Sequence, residues 1–271
     1  LHAEIDYPRE MAVAQQLASA LPKYDSLTVD GVSLAVPNFW PRYSGSRWLT
    51  MDYVSGFQAG SSEVAALPQA RRNALGRLML ELFFVEVFEL GLMQSDPNFG
   101  NYLISAEGDQ LTLLDFGSVM SLEKSVQQAL CDTIVAGHCN DDAALLSGLQ
   151  RLGCLKDDAG SHAQQTFRTF VVNLLEPLRP PSELPPEFLN QSGDYCWGRS
   201  ALLNRTGRHV AKSVTSRQFT IPSGDFALVA RKLTGVFTFI AVLNAEFNAY
   251  DVIAPYLNRK APVKKRSRQR T

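Results

Sequence analysis

The chain has 271 residues, of which 45% are hydrophobic and 20% charged, with 26 basic and 27 acidic side chains and a net charge of −1. A chain of this length buries about 70–75% of its unfolded surface, so it needs neither disulfides nor a structural metal to fold. Disordered, collagen-like and disulfide-scaffold classes are therefore excluded for the chain as a whole. The charge is uneven, because residues 259–271 carry seven basic side chains and no acidic one, which leaves the rest of the chain near −8.

Cysteine spacing and hydropathy indicate an intracellular protein. No C-x-x-C pair is present and the cysteines lie in apolar-rich segments, which favours reduced core thiols at Cys131, Cys139, Cys154 and Cys196. The most apolar late stretch, residues 226–247, is interrupted by Arg231 and Lys232, and the uncharged run that follows is shorter than the roughly 20 residues of a bilayer span. There is no signal peptide, and the start at Leu1 without an initiator Met predicts a missing N-terminal portion.

Hydrophobic periodicity predicts three elements in the first third of the chain. Residues 9–21 have apolar side chains at helical spacing, and Pro8 just ahead is a helix-start signal. Residues 47–54 are rich in strand-forming residues and predict a strand that leaves into a linker. A long helix is predicted from about residue 68 to 90, with Gly91 placed to end it.

A small hairpin and a helical block are predicted next. Two short apolar runs, residues 102–105 and 110–114, flank the turn-forming residues 106–109 and predict a β-hairpin. After Ser121 the pattern is helical, except that residues 177–186 contain five of the chain's 14 prolines. Such a proline-rich segment predicts a loop between helical blocks.

Three polar side chains around the hairpin form the most informative pattern. Asp96 and Asn101 lie five residues apart before the hairpin, and Asp115 follows its second strand. Metal-dependent phosphoryl transfer uses these groups: one carboxylate orients the attacking hydroxyl, while an amide oxygen and a second carboxylate hold Mg²⁺. Taken alone, D-P-N-F-G-N also fits an ordinary turn, and D-F-G alone is weak. The joint order of D-x-x-x-x-N, strand, turn, strand and D-F-G matches the signature of protein-kinase catalytic lobes.

The sequence MQSDPNFGNYLI followed by LLDFG resembles the UbiB-type (AarF-like) atypical kinases, a family tied to ubiquinone biosynthesis. Those proteins carry D-P-H/N-x-x-N where typical protein kinases have H-R-D-x-x-x-x-N. EIDYPRE is similar to the family's E-x-D motif and αC glutamate, WLTMDYVSG to its strand and hinge, and GRHVAKSVTSRQFTIPSGDFALVARKLTGVF to its C-terminal helical region. The resemblance runs from Glu4 to about Phe247.

The resemblance implies an α+β, predominantly α-helical, protein-kinase-like fold with a short β-hairpin at the metal site. Residues 1–54 would be a partial N-lobe with an αC-like helix and a strand leading to the hinge. Residues 55–258 would be the helical C-lobe, with catalytic loop 94–101 and D-F-G at 115–117. Residues 259–271 would be a disordered basic tail.

The resemblance also implies roles for individual residues and the cofactors ATP and Mg²⁺. Asp96 would be the catalytic aspartate, and Asn101 and Asp115 would be the metal ligands. Phe116 and Gly117 would complete the D-F-G turn with a structural or regulatory role.

Three acidic residues near the start would belong to the same site. Glu10 would be the αC glutamate that pairs with a strand lysine, and Glu4 and Asp6 would be the E-x-D carboxylates that face a K-x-G-Q helix. Acids in a first helical turn also simply complement the helix dipole, and this interpretation stays open. The chain contains no K-x-G-Q motif, no nucleotide loop and no strand lysine ahead of Glu10. Pro8 predicts a bend between the E-x-D pair and Glu10.

The hinge-like stretch would bind the nucleotide base. Met51 would lie at the gatekeeper position, although a core residue of a strand fits equally, and the backbone of Asp52 and Val54 would face an adenine edge. Ser95 and Asn98 stand where typical kinases have an Arg and a Lys, and no A-P-E segment follows. These departures argue against peptide-substrate recognition of the usual kind.

Three classes of function fit these patterns. The leading hypothesis is an atypical kinase or ATPase that supports isoprenoid-quinone biosynthesis and contacts proteins of that pathway. A small-molecule phosphotransferase of the aminoglycoside or choline type is an alternative, against which the E-x-D and hinge stretches argue. A pseudokinase-like module that binds nucleotide without catalysis is the third.

The basic tail and the compartment remain open at this point. Residues 259–271 fit a solvated terminus, or a segment attracted to anionic membranes by about 1 kcal/mol per basic residue. Nucleic-acid binding is not expected, because the acidic body offers no extended basic surface. A bacterial cytoplasm with membrane-peripheral contact and a mitochondrial matrix both fit reduced cysteines.

Overall fold

The computed structural model describes residues 6–20, 27–96, 98–206 and 224–257. Helices predominate among these residues, which confirms the predicted fold class. The helices are α1 (Tyr7–Ala20), α2 (Ser62–Ala65), α3 (Gln69–Phe84), α4 (Lys124–His138), α5 (Asp142–Arg151), α6 (Ser161–Leu174), α7 (Trp197–Ser200), α8 (Gly224–Val242) and α9 (Tyr250–Leu257). The strands are β1 (Thr28–Val29), β2 (Val32–Ala35), β3 (Leu92–Gln94), β4 (Tyr102–Ile104), β5 (Gln110–Leu113) and β6 (Val119–Ser121).

Helix α1 begins two residues earlier than its apolar spacing predicts. The Asp6 carboxylate accepts a hydrogen bond of 3.1 Å from Arg9 N and so caps the helix. Pro8 lies in the first turn, where its missing N–H breaks no intrahelical bond. The bend predicted between the E-x-D pair and Glu10 stays a prediction, because Glu4 lies outside the described residues. Ala14 and Leu17 are buried and dock the helix on the core.

The hairpin at residues 102–113 is confirmed. Strands β4 and β5 are antiparallel, with Tyr102 opposite Leu113. The Ser105 hydroxyl closes the turn, since it donates to the Asp109 carboxylate at 2.7 Å and accepts from Gln110 N at 3.0 Å. The hairpin extends a sheet in the order β1-β2-β5-β4, in which β2 and β5 are parallel. Strands β3 and β6 form a separate antiparallel pair.

The strand predicted over residues 47–54 is much shorter than expected. Met51 pairs only with Phe39, as an isolated antiparallel bridge. The ladder stops because the next residue after Trp40 is Pro41, which has no N–H to donate and begins a 3₁₀ turn.

The long helix predicted from about residue 68 to 90 is confirmed. Helix α3 continues as a π-helical turn over Val85–Leu90, and Gly91 follows in the left-handed region at φ 62°. Leu75 and Leu82 are fully buried. A Cβ at Gly76 would lie 3.2 Å from Ala245, so this glycine permits the close approach of α3 to the chain that follows α8.

The C-terminal part is helical, as predicted, and the proline-rich segment forms 3₁₀ turns between α6 and α7. All four cysteines lie in the described residues, and no disulfide joins them. Cys154 and Cys196 are buried, but the prediction of a core thiol is wrong for Cys139, which follows the last turn of α4 and is exposed. In the described parts of the chain, no helix is both long and apolar enough to cross a membrane.

Candidate active site

The ladder between β3 and β6 brings together two stretches that are distant in the sequence. Gln94 lies opposite Val119, so the residues before Asp96 run beside those that follow Asp115. Ser95 continues this contact, with its N and its hydroxyl donating to Ser118 O at 3.1 and 2.8 Å. The β3–β6 pair therefore anchors both the predicted catalytic loop and the D-F-G turn.

The buried Gln94 side chain connects the two aspartates. Its Nε2 donates to the Asp115 carbonyl at 2.8 Å, and its Oε1 accepts from Asp96 N at 3.0 Å. One amide thus fixes the backbone of both residues. No motif marks Gln94 in the sequence, and it was not predicted.

Asp96 and Asn101 are in direct contact. Asn101 Nδ2 donates to Asp96 Oδ2 at 3.0 Å, and Asn98 caps the intervening 3₁₀ turn by accepting from Gly100 N. Because the amide nitrogen of Asn101 donates to Asp96, the amide oxygen is the atom that the predicted metal contact would use. Leu114 N donates to Asn101 O at 2.9 Å, which links this loop to the end of β5.

The D-F-G turn has its phenylalanine inside and its aspartate at the cavity. Phe116 is fully buried and packs edge-to-face on Phe39, with ring centroids 5.8 Å apart. Asp115 Oδ1 accepts from Gly117 N at 2.8 Å, and a Cβ at position 117 would lie 3.3 Å from the same oxygen. Glycine therefore leaves room for the aspartate conformation.

Asp96 and Asp115 line one cavity of about 470 Å³ together with Ser95, Ser118 and Arg231. A larger cavity of about 750 Å³ beside α4 and α5 lies away from these carboxylates, so we place the candidate site in the smaller one. Among the described residues, no cluster of three or more His, Cys, Asp or Glu side chains forms a metal site on its own.

The oxygen donors of the site fit Mg²⁺. This ion typically takes one or two protein oxygens in nucleotide sites and completes its shell with phosphate and water. The Asp115 carboxylate and the Asn101 amide oxygen are donors of that hard type. Their assignment as metal ligands stays a prediction, as does the catalytic assignment of Asp96.

Helix α1 docks on the D-F-G turn through two adjacent residues. Glu10 Oε1 accepts from Phe116 N at 3.2 Å. Burial raises the pKa of Glu10, and the neighbouring Asp115 carboxylate adds to the rise. Arg9 donates to the carbonyls of Gly117 and Val119 at 3.4 and 2.9 Å. The pairing of Glu10 with a strand lysine stays a prediction.

The E-x-D assignment receives no test. Asp6 is exposed and caps α1, which agrees with the alternative that this acid serves the first helical turn. Glu4 lies outside the described residues.

The hinge-like stretch runs beside the sheet. Met51 is half-buried against the core, and Val54 is also partly buried. Asp52 N donates to Asn38 O at 2.9 Å, so a backbone contact of Asp52 with an adenine edge would use its carbonyl oxygen. The Asp52 carboxylate accepts from Trp40 Nε1 and Asn38 Nδ2 at 2.7 and 2.8 Å, and these bonds lower its pKa.

The chain after the hinge-like stretch pairs with the catalytic hairpin. Phe57 and Ile104 exchange backbone hydrogen bonds of 2.8 and 2.9 Å. A Cβ at Gly56 would lie 2.7 Å from the Ile104 carbonyl oxygen, so only glycine fits this approach. The hinge-like stretch is thereby held at a fixed distance from β4.

A buried ion pair lies beneath the predicted catalytic loop. Lys232 Nζ on α8 is 3.2 Å from Glu86 Oε2, and both side chains are only 2% exposed. Lys232 also donates to the Tyr102 hydroxyl at 3.2 Å, and Glu86 Oε1 accepts from Gln94 N at 3.4 Å. Because Tyr102 follows Asn101 directly, this cluster supports both ends of the loop.

Burial and charge pairing act in opposite directions on the pKa values of Glu86 and Lys232. Burial raises the pKa of Glu86, an effect that Lys232 partly offsets. Burial is the largest influence on Lys232 and disfavours its charged form, but Glu86 and Tyr102 together outweigh burial and raise the Lys232 pKa. Sequence reasoning missed this cluster, although a lysine within an otherwise apolar helical stretch was a signal for it.

The fold and this arrangement define a kinase-like domain with its loop and D-F-G turn at one cavity. Residues 1–148, more than half of the chain, match the family model of the ABC1 atypical kinase-like domain. The chain belongs to this family, the UbiB-type atypical kinases, as its motifs predict.

Curated relatives agree with this membership. The chain is 26% identical to "Atypical kinase COQ8, mitochondrial" of Schizosaccharomyces pombe over 95% of its own length and 39% of the relative's. It is 30% identical to "Atypical kinase COQ8B, mitochondrial" of Danio rerio over 53% of the chain and 22% of the relative. It is 25% identical to "Protein ACTIVITY OF BC1 COMPLEX KINASE 8, chloroplastic" of Arabidopsis thaliana over 65% of the chain and 22% of the relative. The chain thus spans less than half the length of these relatives.

A solved structure shares the fold. The chain is similar to the Mycobacterium tuberculosis protein Rv3197, solved in complex with erythromycin, with a TM-score of 0.66 over 94% of this chain and 58% of that one. At 18% sequence identity, the likeness concerns the fold alone.

Proposed function

We propose that this chain carries the catalytic residues of an atypical kinase or ATPase that binds ATP with Mg²⁺ and transfers or hydrolyses the terminal phosphate. The observation that supports this best is the connection of the three predicted residues: Asn101 Nδ2 lies 3.0 Å from Asp96 Oδ2, and Gln94 bonds the backbone of both Asp96 and Asp115. Motif residues that served only as turn formers would not need a common buried anchor.

Each side chain has a distinct role in this proposal. Asp96 orients the attacking hydroxyl or water and accepts its proton. Asn101 and Asp115 hold Mg²⁺, which when bound neutralises charge on the nucleotide phosphates. Gln94 and the contact between Asn101 and Asp96 keep the base and the metal ligands at a fixed separation.

The proposal is tested with Asp96→Ala and Asp115→Asn in the full-length protein. A general base contributes about 10²–10⁴-fold, so Asp96→Ala should lower ATP turnover by that factor. Asp115→Asn should weaken Mg²⁺-dependent binding of ATP in a magnesium titration. Glu107→Ala, which removes an exposed carboxylate from the hairpin turn, is the matched control and should change neither. Full turnover in Asp96→Ala would refute the role of Asp96.

We also propose that the protein supports isoprenoid-quinone biosynthesis through proteins of that pathway at an anionic membrane surface. The names of its COQ8 relatives support the pathway, and the word mitochondrial in those names favours an intracellular site. Quinone levels in cells that carry Asp96→Ala should fall as in cells without the gene; normal levels would contradict this role. The tail 259–271 lies outside the described residues. Its membrane contact is tested by liposome sedimentation of the protein with and without the tail. Equal binding of the two forms would contradict a membrane role of the tail.

A nucleotide-binding module without turnover is the second candidate. The observation that favours it is the ion pair between Arg231 Nη2 and Asp96 Oδ1, 3.4 Å apart, which engages the predicted base. Mg²⁺-dependent ATP binding without turnover in the full-length protein would support this candidate. The match to the ABC1 domain argues against the aminoglycoside or choline type.

A further inference from the structure

Arg231 and Lys232 are neighbours on α8 but lie in opposite environments. Successive residues of an α-helix point about 100° apart, so one can face the core and the other the surface. The Lys232 side chain is 2% exposed and paired with Glu86, whereas the Arg231 side chain is 58% exposed and lines the candidate site. The buried pair therefore fixes the rotation of α8 that presents Arg231 to the cavity.

The cavity needs a cation that the predicted catalytic loop does not provide. Residues 94–101 contain no Lys, Arg or His. Among the described residues that line the cavity, Arg231 is the one cation, and it pairs with Asp96 at 3.4 Å. Phosphoryl transfer spreads negative charge over the equatorial oxygens of the moving group, and such sites place an Arg, Lys or metal ion against them.

Within the described residues, Arg231 has donors to spare, which distinguishes it from Arg9. A guanidinium has five N–H donors, and the contact of Arg231 with Asp96 uses one of them at 3.4 Å. Arg9, the other arginine near the turn, uses both terminal nitrogens on the carbonyls of Gly117 and Val119. The N–H groups of Arg231 that do not contact Asp96 are therefore available to bind phosphate oxygens.

We propose that Arg231 binds the phosphoryl group during its transfer and supplies, from a C-terminal helix, the positive charge that the catalytic loop lacks. This inference rests on the proposed phosphoryl-transfer function. Asp96 takes the proton of the attacking hydroxyl or water as the new O–P bond forms, and the bond to the leaving ADP breaks with its electron pair on ADP. Arg231 forms no covalent bond and stabilises the charge of the moving group.

The test uses Arg231→Ala and Arg231→Lys in the full-length protein, with Arg151→Ala as the matched control. Arg151 also pairs with an aspartate at a partly exposed site, 2.7 Å from Asp132, but far from the cavity. Binding of Mg-ADP is measured with and without aluminium fluoride, which mimics the transferred group, and turnover is measured separately. Arg231→Ala should leave Mg-ADP affinity unchanged while it weakens the aluminium fluoride complex and turnover by about 10²–10³-fold. Arg231→Lys should recover part of both, and Arg151→Ala should match the wild type.

Each other outcome overturns the inference in a recognisable way. An unchanged aluminium fluoride complex, or a faster turnover, would mean that Arg231 only restrains Asp96. An equal loss of Mg-ADP affinity would assign it to nucleotide binding or to structure. If the wild type itself binds no Mg-ADP, the proposed function fails and the inference fails with it.

Discussion

Replacing Lys232 with Met should show how strongly the predicted catalytic loop depends on the buried ion pair. The change keeps a long unbranched side chain but removes the charge that faces Glu86 at 3.2 Å. It also removes the donor to the Tyr102 hydroxyl, next to the predicted metal ligand Asn101. Both stability and metal-dependent nucleotide binding should therefore fall.

The size of the stability loss follows from burial. Both side chains are 2% exposed, and removal of one partner from a pair buried in this way costs about 3–5 kcal/mol, since the other charge is left without compensation. Burial already raises the pKa of Glu86 above its ordinary value of 4.5, and without Lys232 it should rise further. A carboxyl whose folded pKa is raised binds its proton more readily when folded. The penalty should therefore shrink as the pH falls through the folded pKa, by at most about 1.4 kcal/mol per pH unit.

Urea unfolding monitored by the fluorescence of the buried Trp197 measures this loss across a pH series. The double variant Glu86→Gln with Lys232→Met leaves no buried charge and keeps an acceptor for Gln94 N, so it should recover most of the stability at neutral pH. Arg151→Met removes one partner of a partly exposed pair and should cost only about 0.2–1 kcal/mol.

Two results would refute this reasoning. A loss in Lys232→Met no larger than that in Arg151→Met would mean that the pair is hydrated rather than buried. A large loss that is independent of pH, and that the double variant does not recover, would point to lost packing around Lys232 instead of an uncompensated Glu86.

Three further predictions concern the backbone, a histidine and the thiols. Gly56→Ala should lower the free energy of unfolding by about 1–3 kcal/mol, because its Cβ would lie 2.7 Å from a backbone oxygen of β4. Gly60→Ala is the control, since its Cβ would lie 3.8 Å from the nearest atom, and it should leave the free energy of unfolding nearly unchanged in the same urea titration. Burial lowers the pKa of His138, so the unfolded chain takes up this proton first and the stability should fall as the pH drops below about 6.5. The Tm of His138→Phe should fall less over that range. Parallel curves of Tm against pH for the two proteins would contradict a role of His138 in this loss of stability. Iodoacetamide should alkylate the exposed Cys139 in the native protein but spare Cys154, whose pKa burial raises to about 12, and mass spectrometry of the labelled peptides checks this order.

Local elements were predictable because their signals are local. The hairpin of β4 and β5 follows from two apolar runs and a turn, and Gly91 ends its helix with the left-handed geometry that glycine permits. The spacing of Asp96, Asn101 and Asp115 likewise predicted a connected group, and two of the three line one cavity while the third bonds to Asp96.

The supporting contacts were not predictable in the same way, because they join distant parts of the chain. Lys232 lies 130 residues from Tyr102 and Arg231 lies 135 residues from Asp96, so no periodicity relates them. Gln94 belongs to no motif, and its side chain can bond the backbone of both Asp96 and Asp115 only when β6 pairs with β3. The strand predicted over residues 47–54 failed for a related reason, since its partner segment ends at a proline.

The described geometry also shows why the motif residues alone do not make the site. The match to the ABC1 family model ends at residue 148 and includes every predicted catalytic and metal-binding residue. Lys232 and Arg231 lie beyond that limit, yet one neutralises Glu86 beneath the loop and the other faces Asp96 in the cavity. Without Lys232, Glu86 would stay buried with no countercharge, and Tyr102, beside the loop that holds Asp96 and Asn101, would lose its hydrogen-bond donor. The predicted catalytic residues and the charges that support them therefore come from separate parts of the chain, and the candidate site forms only where both pack together.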